Sequence, residues 1–198
     1  MSDAHEQMEH AEHAQHAASE NKKIALLIAI LALFLSFSET LGKSAQTEAI
    51  DANVKSTDTW AVYQAKDIRK TVVIAIADQT ALLAASITDP AVKAAFDKQV
   101  GAWRTAAAHY ESDPKAGNGR QELAVQAKAQ EEHRDLAMAK YHHYELASAA
   151  FQVGIVLASA TVITGIVALA WFAGALGVIG LALLTLGILA PRVMEMLL

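Results

Sequence analysis

The C-terminal quarter of the chain constrains its fold more than any other feature, because it is almost wholly apolar. Between residues 150 and 190 the only strongly polar side chain is that of Gln152. A water-soluble fold does not need so long an apolar run, whereas about 20 apolar residues in a helix cross the hydrocarbon of a bilayer. The sequence therefore predicts an integral membrane protein with two spans in this region.

We place these spans at Ala150–Phe172 and Ala175–Ala190, joined by a tight turn in WFAGALG with Trp171 at a lipid–water boundary. They form a predicted transmembrane hairpin over residues 149–198. Small residues recur along it, and small residues let helix backbones approach closely in lipid. We expect them either to pack the hairpin on itself and on the first span or to form subunit contacts: Gly154, Ala158, Gly165, Gly174, Gly177, Gly180 and Gly187.

A third span is predicted at residues 23–42, where Ile24 to Phe37 carries no charge. A cleaved signal peptide is the alternative, but a polar leader of residues 1–22 comes first and SETLGK lacks the small-residue pattern of a cleavage site. We therefore predict an uncleaved anchor. Glu39 lies near the end of this span, where an acid is a candidate to bind a cation or relay protons. The alternatives are that it marks the point where the helix meets water or that it pairs with Lys43 four residues later.

The polar middle, residues 43–148, is predicted to be a helical stalk. No Gly or Pro occurs between Lys43 and Asp89, Asp89-Pro90 is typical of a helix start, and ESDPKAGNG is a clear turn. We expect helices at about 43–88, 90–111 and 119–148. The spacing of six residues, which skips one turn at Gln79, predicts an apolar seam on one face of the first of these helices: Ala61, Ala65, Ile68, Val72, Ala75 and Leu82.

The composition of the stalk predicts association between copies of the chain. A thin alanine-rich helical hairpin buries little apolar area per residue, and packing against further copies would remedy this. The segment Thr71–Ser86 is apolar on nearly every face, so we expect it to be the core of the stalk or an oligomer interface, with a re-entrant membrane segment as the alternative. The fold class is thus all-α, with three transmembrane helices, a long helical stalk between the first two, and a homo-oligomeric assembly.

Histidines are the only concentrated chemical feature, and they occur in two places. In the leader, His10, His13 and His16 share one helix face with glutamates, so weak binding of Zn²⁺ or Ni²⁺, or a pH response, is one interpretation; a solvated helix with internal ion pairs is the other. The second cluster, around YHHY before the second span, suits the depth of lipid headgroups.

Other functional classes have little support in the sequence. A net charge of −5 with interspersed basic and acidic residues argues against nucleic acid as a partner, and the lack of cysteine removes thiol chemistry and disulfides. We find no phosphate-binding glycine loop, no HExxH and no nucleophile elbow. We therefore predict no enzymatic activity, no catalytic residue and no cofactor beyond the possible metal in the leader.

The leader EHAEHAQHA, the stretch NKKIALLIAILALFLSFSETLGKSAQTEAI and WAVYQAKDIRKT together resemble a bacterial membrane-protein family, domain of unknown function 4337. The terminal hairpin fits as well, so the resemblance covers nearly the whole chain. It implies a small protein of the bacterial inner membrane with a helical middle region. It implies no activity and no catalytic residues.

Three spans place the two termini on opposite sides of the membrane. Lys22 and Lys23 precede the first span, while more basic residues flank the spans on the side of the stalk, so the positive-inside rule favours a cytoplasmic middle region. We expect a scaffold or docking surface, with lipid and further copies of the chain as partners. The alternatives are an oligomeric channel lined by Ser36, Ser38, Thr161 and Thr164, and a pH- or metal-responsive sensor that uses the leader.

Overall fold

The computed structural model describes residues 22–193 in full and residues 2–21 as helical backbone. Helix α1 is continuous over Ser2–Ala85, followed by α2 at Pro90–Glu111, α3 at Arg120–Thr164, α4 at Val167–Leu189 and a short 3-10 turn at Pro191–Val193. Over residues 2–193 there is no β-strand. The chain forms two compact units: unit 1 comprises residues 1–48 and 136–198, and unit 2 comprises residues 49–135. Helices α1 and α3 contribute to both.

The all-α prediction is confirmed, and three helices are long and apolar enough to cross a membrane. They are α1 from Lys22 onward, α3 and α4. These three helices have the length and the apolar composition that a membrane span requires, in agreement with the three predicted spans.

The predicted turn of the hairpin at WFAGALG is wrong, because the chain reverses earlier, at Gly165 and Ile166. Gly165 has a φ of +72°, which favours a residue without a Cβ, and the hydroxyl of Thr164 accepts a hydrogen bond from the Ile166 amide at 3.3 Å. Trp171 consequently lies inside α4 rather than in a turn. The apolar sequence runs evenly through both arms, so its pattern contains no signal for the position of the reversal.

The early turn sets the pairing of α3 with α4 inside unit 1. On the two helices that leave the turn at Gly165, Gly180 of α4 lies against Phe151 of α3, and Gly187 of α4 lies against Tyr144 of α3. At the far end, the His143 ring meets the Pro191 carbonyl, with 3.1 Å between Nε2 and the oxygen. The arm of α3 that matches α4 therefore starts near His143, several residues before the predicted span.

The core of unit 1 is formed where α1 meets this hairpin. Phe151 is fully buried and its ring stacks on Phe34 with 5.9 Å between centroids. Leu31 packs beside Gly154 and Gly177. The predicted role of these glycines in packing the hairpin on itself and on α1 is therefore seen at Gly154, Gly177, Gly180 and Gly187, whereas Gly174 has open space where a Cβ would lie.

In unit 2, α2 starts and ends where the sequence predicts. The carboxylate of Asp89 accepts from the amides of Ala91 and Val92, with Pro90 at the first helical position. After α2, the turn is closed by Glu122, whose carboxylate accepts hydrogen bonds from the Ser112 hydroxyl at 2.6 Å and the Asp113 amide at 3.1 Å.

The buried face of α1 follows a seven-residue period. Within unit 2 its fully buried members are small: Ala49, Ala52, Ser56, Ala77 and Ala84. The predicted apolar seam exists, but it lies on the opposite, exposed face of the helix. Small side chains allow close helix approach, so the alanine and serine positions face inward. Of the two roles predicted for Thr71–Ser86, the core of the stalk is wrong for the single chain, because all its large apolar side chains except that of Val73 are exposed. The oligomer interface stays a prediction.

Candidate functional site

The densest polar cluster of unit 2 surrounds Arg120, at the first position of α3. Its Nη1 donates to Oε2 of Glu111 at 2.7 Å, its Nη2 donates to the hydroxyl of Tyr63 at 2.8 Å, and Nη2 lies 3.0 Å from Oδ1 of Asp67. The guanidinium carbon also lies 4.9 Å from the centre of the Tyr63 ring. One side chain therefore connects α1, α2 and α3 through charge-assisted hydrogen bonds and a cation–π contact.

Lys70 completes this cluster from α1, with its Nζ 2.6 Å from Oε2 of Glu111. The hydrogen bond from Lys70 is the main cause that holds the pKa of Glu111 below its ordinary value, with further help from Gln121 and Arg120 against the opposing effect of burial. Glu111 is thus ionised and shared between two cations. This arrangement fixes the ends of α2 and α3 against α1, as expected of a structural clamp.

A second interhelical contact in unit 2 is centred on Glu131 of α3. Its Oε1 accepts from the indole of Trp60 at 2.8 Å and from the hydroxyl of Ser56 at 3.5 Å. Trp60 in turn meets Tyr63 edge to face, with 5.2 Å between the ring centres. Through Trp60 and Tyr63, these contacts connect Glu131 to the Arg120 cluster along one side of α1.

Unit 1 carries a groove of about 320 Å³ between α1 and α3. Its walls include Ser38 and Tyr144, and the Ser38 hydroxyl donates to the Tyr144 carbonyl at 2.8 Å. Glu39 also lines the groove; its carboxylate is exposed and accepts a hydrogen bond from Gln152 at 3.3 Å. The two strongly polar residues of the first two predicted spans are thus paired with each other.

His143 is the most deeply buried histidine of residues 22–193, with 1% of its surface exposed. Its Nε2 meets the Pro191 carbonyl, while Nδ1 has no hydrogen-bond partner in this part of the chain. A carbonyl can only accept, so this contact is a hydrogen bond when Nε2 carries a proton. The ring ties α3 to the end of α4, and the predicted headgroup depth of this cluster stays a prediction.

The predicted metal ligands His10, His13 and His16 lie outside the residues whose side chains the structure describes. Among residues 22–193, no three metal-ligating side chains are grouped closely enough to hold an ion. The metal hypothesis for the leader therefore stays a prediction. The predicted pore hydroxyls of Thr161 and Thr164 donate to carbonyls of their own helix.

The most distinctive surface of unit 2 is the outward face of α1. Nine of the eleven exposed large apolar side chains of this unit lie on α1, and one each on α2 and α3. Those on α1 are Ile50, Val54, Val62, Ile68, Val72, Ile74, Ile76, Leu82 and Leu83. The predicted apolar seam contains three of these nine residues, Ile68, Val72 and Leu82, but the sequence had no signal for the side of the helix on which the seam lies. Exposed apolar surface of this extent is typical of a binding surface.

Comparison with known protein families shows that a family model covers most of the chain. The family described as domain of unknown function (DUF4337) matches residues 20–190. No curated protein and no solved structure matches the chain.

Proposed function

The chain belongs to the family described as domain of unknown function 4337, and on this premise we propose that it is a non-enzymatic, homo-oligomeric scaffold of the bacterial inner membrane. In this proposal the apolar helices of unit 1 are dissolved in the bilayer. Unit 2 offers a helical docking surface outside it. The conclusion depends most on one observation, the concentration of exposed large apolar residues on α1 of unit 2.

Membrane insertion is supported by the surface of unit 1. Large apolar side chains are exposed on each of its helices, for example Leu33 on α1, Val156 on α3 and Val178 on α4, with 56%, 66% and 70% of their surface exposed. In water such a surface would be unfavourable by roughly 25 cal/mol for each Å² of apolar area, whereas lipid removes this penalty. The buried residues of the same helices include Phe151 packed against Gly180 and Ala173 packed against Gly154, and such close contacts at small residues are typical of a membrane bundle.

A scaffolding role is supported by the polar groups of unit 2. The charges of Arg120, Glu111 and Lys70 are used to hold its helices together. The outward face of α1 is left for association. A unit whose charged groups hold its helices together and whose apolar face is exposed is better suited to bind other chains than to catalyse a reaction.

Extraction and crosslinking of the full chain in native membranes test this proposal. We expect the protein to remain in the membrane pellet after an alkaline carbonate wash. We also expect an amine-reactive crosslinker to give covalent dimers or larger homo-oligomers. Recovery in the aqueous fraction would contradict membrane insertion, and single chains alone after crosslinking would contradict the oligomer.

The channel alternative makes a different prediction, a voltage-dependent ion current in a planar bilayer that holds the purified protein. The scaffold proposal expects no current above the bare bilayer at any voltage or pH. A reproducible unitary conductance that a change in Ser38 alters would overturn the scaffold.

We further propose that unit 2 faces the cytoplasm, since basic residues such as Lys43 and Lys140 flank the candidate spans on its side. The chain has no cysteine, so a single introduced thiol reports its own side of the membrane. Val125 on α3 is 70% exposed and suits this purpose. In intact cells stripped of the outer membrane, V125C should resist a membrane-impermeant maleimide until the inner membrane is broken, and labelling before that point would reverse the orientation.

A further inference from the structure

Six of the outward apolar residues of α1 form a regular array that we name the outer stripe: Ala61, Ala65, Ile68, Val72, Ala75 and Leu82. All six are exposed in the single chain, and Ile68 and Leu82 expose 64% and 77% of their surface. The stripe lies directly opposite the buried series that includes Ala77 and Ala84. A helix with apolar residues on both its inner and outer faces has packing capacity that one chain does not use.

The period of the outer stripe points to the kind of helix that covers it. Ala61, Ile68, Ala75 and Leu82 follow one another at intervals of seven residues. Ala65 and Val72 occupy the position four residues after the first two, and Gln79 interrupts that second series. A seven-residue repeat matches a partner helix that winds around it with a left-handed twist. A partner with the same period and the same alternation of small and large side chains is α1 itself.

We propose that the outer stripe binds the outer stripe of a second copy of this chain, with the two α1 helices parallel and in register. This inference rests on the proposed function and names the contact through which the oligomer forms. Copies that insert in one membrane with the same topology carry their α1 helices in the same direction. Parallel pairing then follows without any further constraint.

Charges beside the stripe are compatible with the parallel register. In a parallel pair each Arg69 faces Gln64 of the second copy across the flank, so like charges do not meet there. Asp78, on the flank near the C-terminal end of the outer stripe, is already paired with Arg104 at 3.5 Å in the same chain. Asp58 lies just before the outer stripe, at the position that Ala65 and Val72 occupy in the later heptads. Repulsion between the two Asp58 carboxylates of a parallel pair sets the N-terminal limit of the contact.

The area of the stripe argues for a membrane-anchored copy rather than a soluble partner. From Ala61 to Leu82 the helix advances about 32 Å at about 1.5 Å per residue, and with a helix width of about 10 Å the contact covers roughly 320 Å² per chain. A standard stable interface buries about 800 Å² per partner. A freely diffusing protein would therefore bind the stripe weakly. Two copies held in one bilayer have a high effective concentration, and a small contact is then enough.

The same heptad phase continues toward the N-terminus of α1, at Leu26, Ile30, Leu33 and Phe37. Their side chains are also exposed, with between 43% and 62% of their surface accessible. In a second copy anchored in the same bilayer, the equivalent residues would be available for a separate contact within the membrane. A soluble partner would not reach residues that lie in a membrane span.

Single cysteines test the contact directly, because the natural chain has none. A disulfide forms only where the two Cα atoms approach within about 7 Å. In native membranes that carry the full chain, mild oxidation should link A61C, I68C and A75C, each to the same residue of a second copy. V125C on α3 is the matched exposed control and should stay monomeric.

The pattern of crosslinks separates the possible outcomes. Dimers of all three stripe variants without a V125C dimer support the parallel contact. A dimer of I68C alone, with A61C joining only to A75C in a mixture, indicates antiparallel helices and overturns it. Equal dimer yield from V125C indicates random collision and also overturns it. Amine crosslinks of the natural chain without stripe disulfides would leave the oligomer standing and remove this contact, whereas the absence of both would remove the proposed function as well.

A charge placed on the stripe gives a second measurement. V72D exposes its carboxylate to water in the single chain, so the fold should persist by circular dichroism. In the dimer the two carboxylates would meet in an apolar contact, and we expect at least about a tenfold lower yield of the A61C dimer in the A61C/V72D double variant. V125D in the A61C background is the matched control. An unchanged dimer yield with V72D would contradict the contact.

Discussion

Gly180 allows the fully buried ring of Phe151 to lie directly against α4, and replacement by alanine tests this packing. A Cβ at position 180 would lie 2.7, 2.9 and 3.0 Å from three carbon atoms of that ring. Ordinary carbon–carbon contacts are about 3.5–4.0 Å, so the ring or the helix must move by about 1 Å. Phe151 is 0% exposed, and its ring is stacked on Phe34.

The expected magnitude follows from two opposing effects. Overpacking of a well-filled core lowers the free energy of unfolding by about 1–3 kcal/mol. Replacing glycine by alanine within a helix raises it by up to about 1 kcal/mol through backbone entropy. Gly174 lies in the same helix with nothing within 4 Å of a Cβ, so G174A carries the second effect alone. The difference between G180A and G174A therefore isolates the overpacking at about 1–3 kcal/mol.

Thermal unfolding of both variants in one detergent or nanodisc measures this difference. We expect the midpoint of G180A to lie roughly 2–12 °C below that of G174A, given the usual relation between stability and midpoint for a chain of this size. Loss of near-ultraviolet signal reports the packing of the aromatic residues. Equal midpoints for the two variants would refute the packing of Phe151 against Gly180 and, with it, the position of the turn at Gly165.

Three further changes test unit 2. Replacement of Arg120 by glutamine, R120Q, removes the charge that joins Tyr63 and Glu111, and we expect the free energy of unfolding to fall by about 2–3 kcal/mol in denaturant titrations; no change would show that the cluster is not a clamp. The pKa of Glu111 is lowered in the folded chain, chiefly by the hydrogen bond from Lys70, so its stabilising contribution is present above the ordinary glutamate value of 4.5 and is lost as the pH falls through the lower folded value. E111Q should flatten that acid limb of the stability curve, and a limb as steep as in the natural chain would contradict this cause. Replacement of Asp89 by alanine, D89A, removes the cap of α2 and should lower stability by about 1 kcal/mol, whereas D89N should keep most of it.

The polar part of the fold shows which features can be predicted from residues that are close together in the sequence. The start of α2 was predictable because Asp89-Pro90 has a purely local effect: the carboxylate binds amides two and three residues later. The clamp at Arg120 was not predictable, because its partners Tyr63 and Asp67 lie more than fifty residues away in sequence. Charged residues spaced along polar helices look the same whether they meet each other or water.

The apolar part shows a different limit. The length of the hydrophobic run predicts that two helices follow one another, but a uniform run of apolar residues gives no position for the reversal. Gly165 was one of seven small residues with no local mark of a turn, and its φ of +72° is a property of the folded chain. The same holds for Glu39, whose contact with Gln152 joins residues 113 positions apart.

By itself, the sequence determined the helical class, the three apolar helices, the capped start of α2 and the heptad of the outer stripe, since each depends on composition or on spacing within a few turns of one helix. Only the tertiary structure decided which face of α1 is buried, where the hairpin reverses and which charges meet. Both faces of α1 carry apolar residues at helical spacing, so periodicity alone could not choose between them. The choice was made by fit across the helices, because small Ala49, Ala77 and Ala84 allow close approach and the larger Ile68 and Leu82 do not.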